Sequence, residues 1–370
     1  MMTFTTDEII AMTSSKFNSI QALRGLAALA VMLFHFRWAI NNASPGLGDK
    51  LFGWGAIGVD LFFIISGFVI TLSASKLKPG IRSAVSFLKN RARRILPAYF
   101  FILLVTFLLS GAMSTFHYPE KVSNLISALT FTPMFDNNTP FYIEDNGFYG
   151  VRWTLNYEII FYLVMALCLI TKYRWLMLFG VFILSLVAVP LLTGQQLTLS
   201  VSGYQFGYPL LNLVTNPIIL TFLMGVAFGL AYPHTKNISS KIRISILILS
   251  VMLTGYCLLF TSLIGHGVMM SGWYLFILFA AIVLNDGIIA KYIPTSLVTL
   301  GEISFSLYLI HSLMNNGIGS RLEKMGVIDD GILRFVVSCA ISIGLAYFSY
   351  RFIERPLSMR KQKSLRHETV

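Results

Sequence analysis

About ten apolar stretches, each close to the roughly 20 residues that a helix needs to cross a bilayer, recur along the chain and leave little room for any other fold. They lie near 20–40, 56–75, 95–116, 152–170, 175–193, 210–231, 244–264, 272–288, 297–315 and 332–352. Backbone polar groups inside a bilayer must be satisfied within the structure itself, so stretches of this kind are read as helices. The expected fold is an all-α integral membrane protein with about ten transmembrane helices in one bundle. Composition agrees: 56% of the 370 residues are hydrophobic and only 12% are charged, where soluble domains carry about 25%.

The net charge of +12 gathers between the spans, not on a soluble surface, so membrane lipid is the expected partner and nucleic acid is not. With both termini in the cytoplasm, most of the 28 lysines and arginines face inward, which is the orientation that the positive-inside rule favours. Arg37, Lys50, Lys121, Arg152, Arg321, Lys324 and Arg334 fall on or near the other side. The first nineteen residues are polar, carry Asp7 and Glu8, and lack a basic leader or a small-residue cleavage site, so the first span is expected to be retained. The chain divides into a cytoplasmic segment 1–19, a transmembrane domain 20–352 and a basic tail 353–370, without internal repeats. Cys168, Cys257 and Cys339 are far apart in apolar runs and are read as packing residues; no metal site is expected.

Ionisable residues within the spans are costly to insert, which makes each a candidate site residue. Arg24 and His35 stand three helical turns apart in QALRGLAALAVMLFHF, on one face and about 16 Å apart along the axis. Counted from span ends, His35, Asp60 in GVDLFFIISGFVI, Glu158 after Trp153-Thr154-Leu155, and His311 are expected at a shared depth in the outer half of the bundle. A buried carboxylate needs a partner or must neutralise, which favours a site role for Asp60 and Glu158. For His35 and His311 the alternative is a histidine hydrogen-bonded within the bundle, and for Trp153 a place in the interfacial aromatic belt. Glu302, on another face from His311 and nearer the inside, is read as supporting. Gly55, Gly58 and Gly67 permit close helix approach. The outer loop 117–151, with Asp136, Asn137, Asn138, Glu144 and Asp145, either covers a pocket or contacts a sugar, or is an ordinary hydrated loop. Arg91 and Arg94, three apart at the end of the inner loop 76–94, have the spacing to clamp a phosphate. Retention of that loop inside, against anionic headgroups, explains them equally, as it does Arg360, Lys361, Lys363 and Arg366.

In order along the chain, these pieces resemble the membrane acyltransferase 3 family, which transfers acyl groups, often acetyl, to sugars of bacterial surface polysaccharides and to other small molecules. The matching motifs are Arg24 to His35, Gly58-Val59-Asp60-Leu61-Phe62-Phe63 with Ser66-Gly67-Phe68, and Arg91 and Arg94 before Pro97 and Tyr99. Trp153-Thr154-Leu155 with Glu158, Phe161 and Tyr162 follows, then Gly301, Ser304, Tyr308 and His311, and finally Glu354 and Pro356. The resemblance implies acyl-CoA, typically acetyl-CoA, as a cytoplasmic donor, Arg91 and Arg94 near its phosphates with Arg24 close to the donor, and His35 at the reacting centre. It implies a multi-pass protein of the bacterial inner membrane, a glycan or lipid-linked glycan acceptor, and polysaccharide-assembly proteins as partners. WTLNYE looks most like members that acetylate exopolysaccharides. Ile159 follows Glu158 where many relatives have a second acidic residue. The chain also stops about eighteen residues after the last span, without the soluble hydrolase-like domain of some relatives.

On that reading, a sugar hydroxyl attacks a thioester, and its proton must leave as the bond forms. Histidine suits the task because its pKa lies near the operating pH. His35 is the expected base, with Asp60 or Glu158 fixing its tautomer and Trp153, Tyr308 and His311 in support. A covalent acyl-histidine is the other route open to it. The rival function is a proton-coupled transporter or polysaccharide flippase that uses the same buried groups as a proton relay.

Overall fold

The Ala- and Leu-rich first segment forms a 26-residue helix, α1 (Asn18–Ala43), about 39 Å long at helical rise, and α1 is the hub of the bundle. The structure, a computed structural model, describes residues 17–112, 114–143, 149–314, 326 and 331–356. After α1 come α2 (Gly58–Ala74), α3 (Ile81–Thr106), α4 (Pro119–Thr130), α5 (Arg152–Cys168), α6 (Arg174–Ile183) and α7 (Ile219–Ala231). They are followed by α8 (Ser240–Phe260), α9 (Trp273–Leu284), α10 (Thr295–Glu302), α11 (Ser304–Leu313) and α12 (Ile332–Ser349). Among the described residues there is no strand. Glu144, Asp145, Arg321, Lys324 and the basic tail residues lie outside the described residues.

Among the described residues, seven helices are long and apolar enough to cross a membrane, and nine if each of two bent pairs is one span. With 17 residues, α5 falls just under that length and accounts for the remaining expected segment. Apolar side chains such as Leu176 on α6 and Leu249 and Leu259 on α8 point outward from the bundle, as a lipid-facing rim requires. The protein is a multi-pass, all-helical membrane protein.

Three expectations change. The inner loop 76–94 is helical from Ile81, so Arg91 and Arg94 ride on the same helix as the third span, α3. The ninth expected span is two helices, α10 and α11, meeting at 64° around Ile303; the eighth is likewise followed by a helix bent from it by 63°. The outer loop 117–151 contains α4, opened by Pro119 in the first turn, where a missing N–H costs nothing.

α1 packs against α2, α10, α11 and α12, and α2 packs along α7. The α2–α7 contact is backbone to backbone: a Cβ at Gly67 would stand 2.1 Å from the Phe222 carbonyl oxygen, and one at Gly225 2.1 Å from that of Ile64. Only glycine fits there, because either methyl would push the helices apart. Gly67→Ala is therefore expected to cost about 1–3 kcal/mol of stability, read as a lower melting temperature of the detergent-solubilised protein. An unchanged melting temperature would show that the pair can separate freely. Gly55 and Gly58 make the corresponding approach to α1, at the carbonyls of Ala30 and Ala27.

Candidate functional site

Where α1, α2, α3, α5 and α11 converge, a cavity of about 170 Å³ opens, lined by Arg24, Ser66, Arg91, Arg94, Glu158, Tyr162 and Tyr308 among others. Helical spacing explains the set. Arg91 and Arg94 share a face of α3, and Thr154, Glu158 and Tyr162 follow one another at four-residue steps along α5. Three guanidinium-bearing residues thus line one pocket whose walls are otherwise largely apolar.

Their partners leave the cluster positive. Arg24 Nη1 donates to Gln21 Oε1 at 3.3 Å and Arg91 Nη2 to Ser73 Oγ at 3.3 Å. Arg91 also lies over the rings of Phe87 and Tyr162, 5.5 and 5.7 Å from their centroids. Its Nε is buried without a hydrogen-bond partner. Glu158 Oε1 accepts from Ser66 Oγ at 3.2 Å and from the Tyr162 hydroxyl. Glu354, which accepts from Ser306, acts electrostatically on Arg24 and Arg94. Three cations against two carboxylates leave one positive charge in excess, together with an unsatisfied N–H. This arrangement suits an anionic ligand with several oxygen acceptors.

Tyr308 lines the cavity from α11. Its hydroxyl is 2.9 Å from Thr154 Oγ1, and its ring packs against Phe62 at 5.9 Å. The ring also meets His311 at 5.5 Å, and His311 lies 4.8 Å from His35, centroid to centroid. His311 is fully buried, with Nδ1 3.4 Å from the Leu307 carbonyl and Nε2 without a partner. His35 is half-buried and touches Phe34 edge-on at 5.3 Å. Arg24, Arg91 and Arg94 thus line the cavity with Tyr308, while His311 and His35 do not line it and connect to it through the Tyr308 ring.

The structure brings His35 and His311 together as their depths implied, but not the two carboxylates. Glu158 belongs to the cation cluster. Asp60 is fully buried and bonded elsewhere: its Oδ2 is 2.8 Å from His266 Nδ1, and its Oδ1 accepts from the Gly267 N–H at 2.6 Å. Neither carboxylate is hydrogen-bonded to His35, so the expected orientation of its ring by Asp60 or Glu158 is corrected. Depth counting fixes height along the bundle and says nothing of lateral neighbours, which packing decides. Trp153 is buried among Phe63, Phe141, Tyr157 and His266, all at steep interplanar angles, and so is not in an outward-facing belt. Glu302 accepts from the Tyr350 hydroxyl at 3.2 Å, a supporting contact. Sequence reasoning missed His266. The signal was an ionisable residue between two glycines in IGHGVMM, passed over because it falls between two assigned spans.

A helical membrane bundle with a cation-lined cavity leading toward paired histidines has the parts of a group-transfer enzyme. The family model described as acyltransferase 3, Acyltransferase domain, matches residues 17–351, and the chain belongs to that family. It is an acyltransferase of groups other than aminoacyl. Curated relatives include the exopolysaccharide production protein ExoZ of Rhizobium meliloti, 26% identical over 337 residues that cover 89% of this chain and 95% of that protein. The O-acetyltransferase OatA of Staphylococcus aureus is 24% identical over 381 residues, 93% of this chain and 58% of that longer protein. Nodulation protein 10 of Rhizobium leguminosarum bv. viciae is 26% identical over 377 residues, 95% of this chain and 96% of that protein. No solved structure matches the chain.

Proposed function

We propose that this protein is a membrane O-acyltransferase that moves an acetyl group from cytoplasmic acyl-CoA to a hydroxyl of a surface or exopolysaccharide sugar, or of its lipid-linked precursor. The observation that carries the reading is the cavity itself: it is lined by Arg24, Arg91 and Arg94, with a buried, unpartnered Arg91 Nε, and by Tyr308, whose ring contacts His311, which in turn contacts His35. Names among the relatives support the acetyl group and the glycan acceptor. Charge distribution supports cytoplasmic termini, a transmembrane domain over 20–352 flanked by segments 1–19 and 353–370, and residence in a bacterial inner membrane.

Arg91 and Arg94 hold the donor's phosphates, with Arg24 further along the same wall. Ser66 and Tyr162 hold Glu158 in the cavity wall beside the arginines, where its carboxylate offsets part of their repulsion and limits their excess charge. In the transfer, the acceptor oxygen bonds to the thioester carbon and the C–S bond breaks. The hydroxyl proton goes to His35, and the thiolate, with a solution pKa of about 8.5, leaves readily. One base is enough for this chemistry. His311 packs against the His35 ring and holds it in place, and Tyr308, bonded to Thr154, must yield for the thioester to come within reach.

The test is transfer of labelled acetyl from acetyl-CoA to glycans by the purified protein in lipid nanodiscs. Label appearing in glycan is the expected result. No transfer from any acyl-CoA to any glycan, with proton-linked uptake of glycan into vesicles instead, would favour a transporter.

A further inference from the structure

The buried pair Asp60–His266 lies outside the cavity and has no part in the transfer just described. Asp60 sits in the first turn of α2, fully buried, with both carboxylate oxygens engaged: one by His266 Nδ1 at 2.8 Å, the other by the Gly267 N–H at 2.6 Å. In a neutral imidazole, a carboxylate at Nδ1 keeps the proton on that nitrogen and leaves Nε2, on the opposite edge of the ring, as an acceptor with a lone pair. Among the described residues nothing hydrogen-bonds to Nε2, and the side chain keeps 15% of its surface exposed. Trp153 stands 5.6 Å from the ring and Phe141, from the outer segment after α4, 6.4 Å. His266 follows the end of α8 and meets the start of α5 through Trp153.

We propose that His266, walled by Trp153 and Phe141, is a subsite for one sugar of the glycan acceptor, which donates a hydroxyl hydrogen bond to Nε2 while Asp60 fixes the ring. This rests on the acyltransferase reading and adds to it the place where the acceptor is held. A pyranose fits because it offers hydroxyl donors around its rim and a C–H face to lie on aromatic carbon, and the site offers one fixed acceptor beside two aromatic rings. The hydroxyl held here is not the one acylated. His266 binds and His35 reacts, so the two are separable by experiment.

His266→Asn isolates the role, because the asparagine amide still donates to Asp60 but carries nothing at the Nε2 position. With labelled acetyl-CoA and a panel of methyl glycosides as acceptors, the acceptor KM is expected to rise about tenfold. The kcat at saturating acceptor and the Kd for acetyl-CoA, measured by calorimetry, are expected to stay at wild-type values. Phe141→Leu, which leaves the Asp60–His266 pair intact, provides a second reading, with a severalfold rise in the same KM and no change in melting temperature. An acceptor KM unchanged in both variants overturns the subsite, as does a fall in kcat or donor affinity without a change in that KM. Failure of the wild type to acetylate any glycoside would instead overturn the proposed glycan acceptor, and the subsite with it.

Discussion

His35→Ala is expected to lower acetyl transfer by about 10²–10⁴-fold, the usual worth of a positioned general base, while leaving the Kd for acetyl-CoA unchanged. The two effects separate because Arg24, Arg91 and Arg94 line the cavity and His35 does not, reaching it only through His311 and Tyr308. His35→Gln fills nearly the same space and should do no better, since an amide cannot take the proton. Either variant eluting and melting as the wild type does, yet retaining full turnover, would remove His35 from the chemistry. The two routes open to His35 also separate. A base that never carries the acyl group allows no exchange of acetyl between CoA molecules when acceptor is absent. Exchange in the wild type, lost in His35→Ala, would identify a covalent acyl-histidine.

Much of this architecture is legible in the sequence because membrane insertion is a local property, read from about 20 residues at a time. The helices over 18–43, 58–74 and 332–349 fall where hydropathy puts them. Bends are less legible because packing creates them. α10 and α11 part at Ile303, just after Gly301, where a Cβ would stand 1.9 Å from the Gln21 carbonyl oxygen. That close approach to α1 is specified by two segments some 280 residues apart. The site divides in the same way. The Arg91 and Arg94 pair follows from a three-residue spacing within one helix, which needs no tertiary information. Glu158 and Asp60 were recognisable as buried carboxylates that require partners; Tyr162, four residues after Glu158 on α5, is a local partner, but Ser66 for Glu158 and His266 for Asp60 depend on which elements meet. His266 itself comes from a turn between α8 and α9, where hydropathy carries no information about burial.

The double variant Arg91→Gln with Arg94→Gln is expected to weaken acetyl-CoA binding about 100-fold, about tenfold for each guanidinium removed. A charge-assisted hydrogen bond to phosphate is worth about 1.5–3 kcal/mol, and tenfold corresponds to about 1.4 kcal/mol. The lower end applies because Arg94 is exposed at the cavity mouth, where salt and water screen it. Glutamine keeps a polar end but stops two atoms short of the guanidinium nitrogens, so the 3.3 Å bond from Arg91 Nη2 to Ser73 is lost, a cost of about 1 kcal/mol that leaves the fold standing. Two further results belong to the same cause. Wild-type donor affinity should fall as salt rises from 0.05 to 0.5 M, on the order of a Debye length shrinking from about 14 to 4 Å, and the double variant should show a flatter dependence. The acceptor KM should not move, because the cation cluster and the His266 pair involve different side chains and different faces of α2. A donor Kd unchanged in the folded variant would return Arg91 and Arg94 to a role in membrane topology alone, and would leave Arg24 and the unpartnered edge of the cavity without an anion to hold.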